Sequence, residues 1–223
     1  SAASDVYKRQ VKWMKIYLFG QRNNLGGGTH FGGFVDAMKS LAAIGELVEE
    51  VEVSGKKINP VASCIQPEDV SVFFFPTLSE QFVRGTIVKW GIFETDNLPD
   101  EYISYLKRSH LIWVPSQWAK TVPISHGLTG DQIHIVHEGV NPDIYHPYCR
   151  PQSSVSNIFR FFMCGKKETR KGFDELLEGF KIAFGGDKTT ELHLKADYFW
   201  GGQAQFEAKK DELYGQIDGL GLT

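Results

Sequence analysis

Short apolar runs alternate with amphipathic segments of helical period from residue 14 onward. The first run, Lys15–Phe19, has the length of a strand, and a loop at Gly20–Thr29 follows it. A helix is predicted next, from about His30 to Ile44, and Gly45 is expected to end it. One face of this helix is expected to carry its apolar side chains: Phe34, Ala37, Met38, Leu41 and Ala42.

The same alternation continues to about residue 136, with apolar runs of four to eight residues that predict buried strands. The further strands are expected at Leu47–Val53, Val70–Phe75, Thr86–Phe93, Leu111–Val114 and Ile133–Val136. Helices are expected at Asp100–Ser109 and Gln117–His126. Strands that alternate with helices are typical of a doubly wound parallel sheet, so the predicted class is α/β.

A proline- and serine-rich stretch without periodicity divides the chain into two predicted domains. An N-terminal Rossmann-like domain is expected at 14–141, a linker at 142–156 and a partial C-terminal domain at 157–223. Residues 1–13 are interpreted as a non-native leader before Met14. Strand, loop and helix recur in the second domain, which offers few elements before Thr223, so we expect it to be cut off there.

Elements of the second domain are predicted from the same periodicities. Strands are expected at Phe159–Met163 and Leu192–Lys195, and helices at Gly172–Phe184 and Gln203–Ile217. The intervening Lys166–Arg170 segment is expected to be a loop.

Composition narrows the class of protein. The 223 residues are 42% hydrophobic and 23% charged, which is ordinary for a folded globular chain. A formal net charge of −3 provides no long-range attraction for nucleic acid. No apolar run approaches the roughly 20 residues of a transmembrane helix. Three dispersed cysteines favour a reducing compartment, so a cytoplasmic location is expected.

Loops that follow strands are the usual ligand sites of open α/β sheets, and the first is rich in glycine. Gly26, Gly27 and Gly28 stand at a strand-to-helix junction, where a backbone without side chains can approach a ligand closely. Taken alone, this loop is equally explained as a flexible turn.

A second loop, Gly165–Gly172, carries four cations at the start of a predicted helix. Because a helix N-terminus has partial positive charge, these cations are unfavourable there unless an anion binds. A diphosphate would accept hydrogen bonds from the backbone and from the side chains of Lys166, Arg170 and Lys171. A solvated, screened basic turn is the alternative.

A third loop, Glu94–Pro99, places two carboxylates at the end of a strand, where they could hold sugar hydroxyls. Glu94 has the stronger functional claim, since Asp96 could instead close a turn or cap the next helix. Ser116 is expected to be the N-cap of a later helix.

Metal and dinucleotide sites are not indicated by the motifs. The chain has no Asp-x-Asp, and its histidines lack metal-ligand spacing. An NAD-dependent oxidoreductase would need GxGxxG after the first strand, which is missing. A non-catalytic sugar- or nucleotide-binding module remains an alternative to an enzyme.

Three separated segments, in order after the glycine-rich loop, carry a family resemblance. They are Leu111–Trp118 (LIWVPSQW), Ile135–Pro147 (IVHEGVNPDIYHP) and Phe162–Asp174 (FMCGKKETRKGFD). The chain resembles the retaining GT-B glycosyltransferases of family four, also called glycosyl transferases group 1.

This resemblance implies two Rossmann-like domains and hexosyl transfer, with retention and no essential metal or other cofactor. A nucleotide-diphosphate sugar would bind mainly to the second domain, and an unidentified saccharide, lipid or protein glycan would be the acceptor on the first. Lys166 and Lys171 match the basic pair at the leaving diphosphate, and Gly27 and Gly28 match the loop near the donor phosphates.

Where many family members have histidine after a strand, this chain has Glu94, which is the catalytic candidate. The acceptor-side candidates are Thr29, His30, Glu94 and Asp96. Because carboxylates near the donor sugar should lie beyond Thr223, the 223-residue chain is expected not to turn over.

Overall fold

The computed structural model describes residues 14–23, 26–41, 43–53, 57–146, 157–197 and 202–222. The chain divides into two compact units, residues 1–146 and 147–223. The division falls inside the predicted linker, of which residues 147–156 lie outside the described residues, as does the predicted leader at 1–13. The domain bounds drawn from the sequence stay predictions.

A parallel sheet of six strands forms the first unit, in the order β2-β1-β3-β4-β5-β6. The strands are β1 Ile16–Gly20, β2 Val48–Glu52, β3 Val70–Phe73, β4 Thr86–Trp90, β5 Leu111–Val114 and β6 Ile133–Ile135. Every neighbouring pair is parallel, and Trp90 of β4 stands beside Trp113 of β5. The strand order reverses around β1, which is the doubly wound arrangement predicted from the alternating pattern.

Three α-helices accompany this sheet: α1 Gly26–Ser40, α2 Asp100–Lys107 and α3 Gln117–Ser125. Short 3₁₀ turns lie at Gly45–Leu47, Pro60–Cys64, Leu78–Phe82 and Gly130–Gln132. Ser116 accepts a hydrogen bond from the Ala119 amide at 3.1 Å, so its predicted role as the N-cap of α3 is confirmed.

Helix α1 corrects the prediction at both ends. It begins at Gly26, inside the expected loop, and ends at Ser40, whereas Gly45 starts a 3₁₀ turn. Phe31 and Val35 form its buried face, while the expected Ala37 and Leu41 are exposed. Burial of a Val or Phe side chain contributes about 1.5–3 kcal/mol, enough to outweigh the poor helix propensity of the glycines.

The second unit contains a two-stranded parallel sheet, β7 Phe159–Lys166 with β8 Thr190–Asp197, and helices α4 Phe173–Phe184 and α5 Gly202–Gly219. Strand β7 extends three residues beyond its predicted end and takes in Lys166. The ring of Phe161 packs on α4, with centroids 5.2 Å from Phe184 and 6.0 Å from Phe180. Among the helices in the described ranges, none has the length and apolar character to cross a membrane.

Candidate functional site

The carboxyl ends of the first unit's parallel strands share one edge of the sheet, which is where ligands bind in open α/β folds. Three segments emerge there: the start of α1 after β1, the turn 94–99 after β4, and residues 136–141 after β6. The site residues that the sequence predicts in the first unit lie in the first two of these segments.

Gly26, Gly27 and Gly28 form the first turn of α1 rather than a loop. A Cβ at Gly27 would come within 2.9 Å of the Phe75 ring, and one at Gly28 would collide with the side chain of Asn23 and approach its backbone nitrogen to 2.6 Å. Close packing therefore requires glycine at 27 and 28. Because this first turn carries no acidic side chain, the backbone N–H groups at the start of the helix suit an anion. Contact with donor phosphates stays a prediction.

His30 packs against aromatic side chains at this edge of the sheet. Its ring makes edge contacts with Trp90 and Phe74, with centroids 4.7 and 5.4 Å apart. Its Nε2 is 3.6 Å from Oε1 of Glu138, which belongs to the segment after β6. Burial lowers the pKa of His30, and the charge of Glu138 offsets part of that effect.

The remaining acceptor-side candidates have plainer surroundings. The Thr29 hydroxyl donates to the Asn23 carbonyl at 3.4 Å. Glu94 and Asp96 are exposed in the turn after β4. Thr95 closes that turn by accepting from the Asn97 amide at 3.2 Å. The suggestion that Asp96 caps α2 is wrong, since the N-cap is Pro99 and no side chain bonds there.

In the second unit, a tight turn joins β7 to α4. Thr169–Lys171 forms one 3₁₀ turn, and Gly172 follows with a φ of 68°, a left-handed conformation that favours glycine. Gly172 is thus the N-cap of α4, not its first residue as predicted. The turn brings Lys171 back beside Gly165 near the end of β7, since a Cβ there would lie 4.0 Å from Lys171 Cδ.

The four cations of this turn are not equivalent. Lys167 is paired with Glu212 of α5 at 3.0 Å, and Arg170 with Glu168 at 3.1 Å. Lys171 is exposed and makes no ion pair with the residues that the structure describes. Because two of the four cations have acidic partners, the expectation of an anion at this turn now rests chiefly on Lys171.

Helix α4 also has its own anions. Asp174 and Glu175 occupy its first turn, where negative charge complements the helix dipole. A phosphate at the helix N-terminus would meet both carboxylates, which disfavours binding there. The exposed side of the preceding turn, which carries Lys171, is the more favourable position.

Two solved structures of Anabaena Alr3699/HepE are similar to this chain. The complex with UDP aligns with a TM-score of 0.64 at 16% sequence identity and covers 94% of this chain and 67% of HepE. The complex with UDP and glucose aligns with a TM-score of 0.63 at 17% identity and the same coverage. No protein-family model matches the sequence, and no curated protein does.

The chain therefore has the fold of a GT-B-type glycosyltransferase, an α/β fold with Rossmann-like units, and the predicted fold class is confirmed. At this identity the likeness concerns the fold and does not reach family four, retention or individual residues. Functional roles must come from the site.

Glu138 is a residue that sequence reasoning missed as a site candidate. It appeared there within a family motif, with no chemical role. The spacing between residues 30 and 138 gives no local signal, because their proximity depends on the order of β1 and β6 in the sheet.

Proposed function

We propose that the protein is a glycosyltransferase that moves a sugar from a nucleotide-diphosphate donor to a hydroxyl group of an acceptor. The GT-B-type fold supports a nucleotide-sugar ligand, and HepE, which has the same fold, was solved with UDP. The observation that carries the proposal is the turn after β7, where Lys171 is an exposed cation without an acidic partner in the described part of the chain.

Glycosyl transfer breaks the bond between the anomeric carbon and the diphosphate, whose negative charge grows as the bond lengthens. A lysine ammonium near those oxygens stabilises the transition state more than the ground state. Lys171 supplies this charge from the turn, and Lys166, the last residue of β7, supplies a second one. Lys167 and Arg170 serve mainly to hold the turn through their ion pairs.

Finer parts of this proposal rest on the family resemblance. They are membership in family four, retention of the anomeric configuration, independence from metal, and Gly27 and Gly28 near the donor phosphates. A cytoplasmic location rests on the dispersed cysteines. The acceptor is a saccharide, lipid or protein glycan.

Calorimetric titration with UDP, GDP and uridine tests the role of Lys171. Because a hydrogen bond to a charged group contributes about 1.5–3 kcal/mol, Lys171→Ala should weaken UDP binding by about 10- to 150-fold. Uridine binding should change little, since it has no phosphate. Equal losses for UDP and uridine would reject a phosphate role for Lys171.

Lys188→Ala is the matched control, because Lys188 is another exposed lysine of the second unit but precedes the amino end of β8. It should leave UDP binding unchanged. A parallel assay of nucleotide release from UDP-glucose and GDP-mannose by the full-length protein separates an enzyme from a binding module. Diphosphate binding without release from either donor would favour the module.

A further inference from the structure

We propose that His30 and Glu138 together bind one hydroxyl group of the acceptor saccharide. This inference rests on the proposed function, since it assigns the acceptor to the first unit. Glu138 gains a role here as the hydrogen-bond acceptor for the hydroxyl proton, and His30 as the donor to the hydroxyl oxygen.

The distance between the two groups is the first argument. Nε2 of His30 and Oε1 of Glu138 are 3.6 Å apart, beyond the 2.7–3.2 Å of an ordinary N–H···O hydrogen bond. They lie side by side without satisfying each other. A hydroxyl oxygen can stand within hydrogen-bond distance of both, accepting from Nε2–H and donating to Oε1.

Rigid support for His30 is the second argument. Its ring is wedged against Trp90 and Phe74, and its side chain is 18% exposed while that of Glu138 is 46% exposed. The aromatic contacts fix the plane of the imidazole and leave its Nε2 edge beside the carboxylate. A donor held in this way loses little conformational entropy when a ligand binds.

The charge of Glu138 and the hydrogen-bonding groups of both residues limit which ligand can bind. A phosphate would be repelled by Glu138, and an ammonium could donate to Glu138 but could not accept from Nε2–H. A metal ion would need more ligands, and no group of three metal-binding side chains occurs in the described ranges. A hydroxyl both donates and accepts, as the pair requires.

The protonation state agrees with this assignment. Burial lowers the pKa of His30, which keeps the imidazole neutral at pH 7. The carboxylate beside Nε2 favours the tautomer with its proton on Nε2. In that form the ring donates one hydrogen bond at this edge, as a hydroxyl ligand needs.

Histidine-resolved NMR of the full chain tests the proposal. The probes are methyl glycosides of glucose, galactose and mannose at millimolar concentrations. At least one should shift the His30 imidazole signals in a saturable way. Glu138→Ala should weaken that binding by about tenfold or more, and Glu138→Gln by less, because its amide oxygen still accepts a hydrogen bond.

Asp131→Asn is the control, because Asp131 also carries one negative charge but precedes β6 at the opposite edge of the sheet. Glycoside binding equal in the Glu138→Ala and Asp131→Asn variants would overturn the proposal, as would unshifted His30 signals with every glycoside. If UDP still binds in those samples, the proposed function stands. Absence of UDP binding by the wild-type protein would instead reject the proposed function.

Discussion

Nζ of Lys89 lies 3.1 Å from Oε2 of Glu80 inside the first unit, where Lys89 is fully buried and the Glu80 side chain is 5% exposed. Arg108 binds the other oxygen of Glu80 at 2.6 Å and is 56% exposed. Lys89 also donates to the Tyr105 carbonyl and lies 3.7 Å from the centre of the Tyr105 ring. The group ties β4 to α2 and to the turn at Leu78–Phe82.

Removing the carboxylate should be costly. Glu80→Ala leaves the Lys89 ammonium buried without a counter-charge, and such a change costs about 3–5 kcal/mol of unfolding free energy. Urea unfolding followed by tryptophan fluorescence measures it. A loss below about 1 kcal/mol, the usual value of a surface ion pair, would show that water reaches Lys89.

Replacing the lysine should be far milder. Lys89→Met keeps the length of the side chain and removes the desolvated charge, while Glu80 retains Arg108. Because only one member of the pair is removed and Glu80 keeps Arg108, we expect a loss of unfolding free energy smaller than that of Glu80→Ala in the same urea experiment. A loss as large as that of Glu80→Ala would mean that the ammonium, rather than its desolvation, dominates the energetics.

The stability of the chain should depend on pH through Lys89. Burial lowers the pKa of Lys89 from 10.5 to about 8, so between these values the unfolded chain binds more protons than the folded one. The unfolding free energy from this residue should therefore rise with pH from about 8 towards 10.

The pH experiment should stop below about 9.5, because burial raises the pKa of Tyr105 and opposes the effect at higher pH. The comparison is urea unfolding of the wild type and of Lys89→Met across this range. The unfolding free energy of the wild type should rise relative to that of Lys89→Met as pH increases. A difference between wild type and variant that does not change with pH would contradict a depressed pKa at Lys89.

Two glycines of α1 should respond in opposite directions to alanine. Gly28→Ala should destabilise the chain, because the new Cβ collides with Asn23, including its backbone. Gly33→Ala meets no atom within 4 Å and should stabilise by up to about 1 kcal/mol through helix propensity. Thermal unfolding monitored by circular dichroism compares them. A stabilising Gly28→Ala would show that the first turn of α1 is not packed against Asn23.

Adjacent phenylalanines of β7 should also separate two effects. Phe162 is 68% exposed, whereas Phe161 packs against Phe180 and Phe184. Because large exposed apolar side chains promote self-association, we expect the wild-type chain to self-associate, and Phe162→Thr should reduce this while leaving stability nearly unchanged. Phe161→Thr should lower stability instead. Size-exclusion chromatography and thermal unfolding measure the two effects; unchanged elution of Phe162→Thr would contradict the prediction.

Local patterns in the sequence determined the order and type of the main elements. The strand at Leu111–Val114 follows from an apolar run. The cap at Ser116 follows from a serine directly before a helical pattern, whose hydroxyl oxygen accepts from the backbone amide three residues later. Such signals involve neighbours in the chain, so they can be read without knowing the fold.

Tertiary packing decided the start of α1. Three successive glycines predict a loop, yet the helix begins at Gly26, because Phe31 and Val35 bury their side chains against the sheet. The glycines that weaken a helix are the residues that permit the close approach of Phe75 and Asn23. Propensity is a local quantity, and burial overrides it.

The sequence by itself determined which loops follow strands and where its basic and glycine-rich residues are. It could not reveal that Lys89, a charged residue within a strand, is buried and paired with Glu80, or that His30 lies beside Glu138. Each pair joins separate elements, and its geometry depends on strand order and helix packing. The balance of charge in the turn after β7 was likewise decided by α5, whose Glu212 reaches Lys167 from a distant part of the chain.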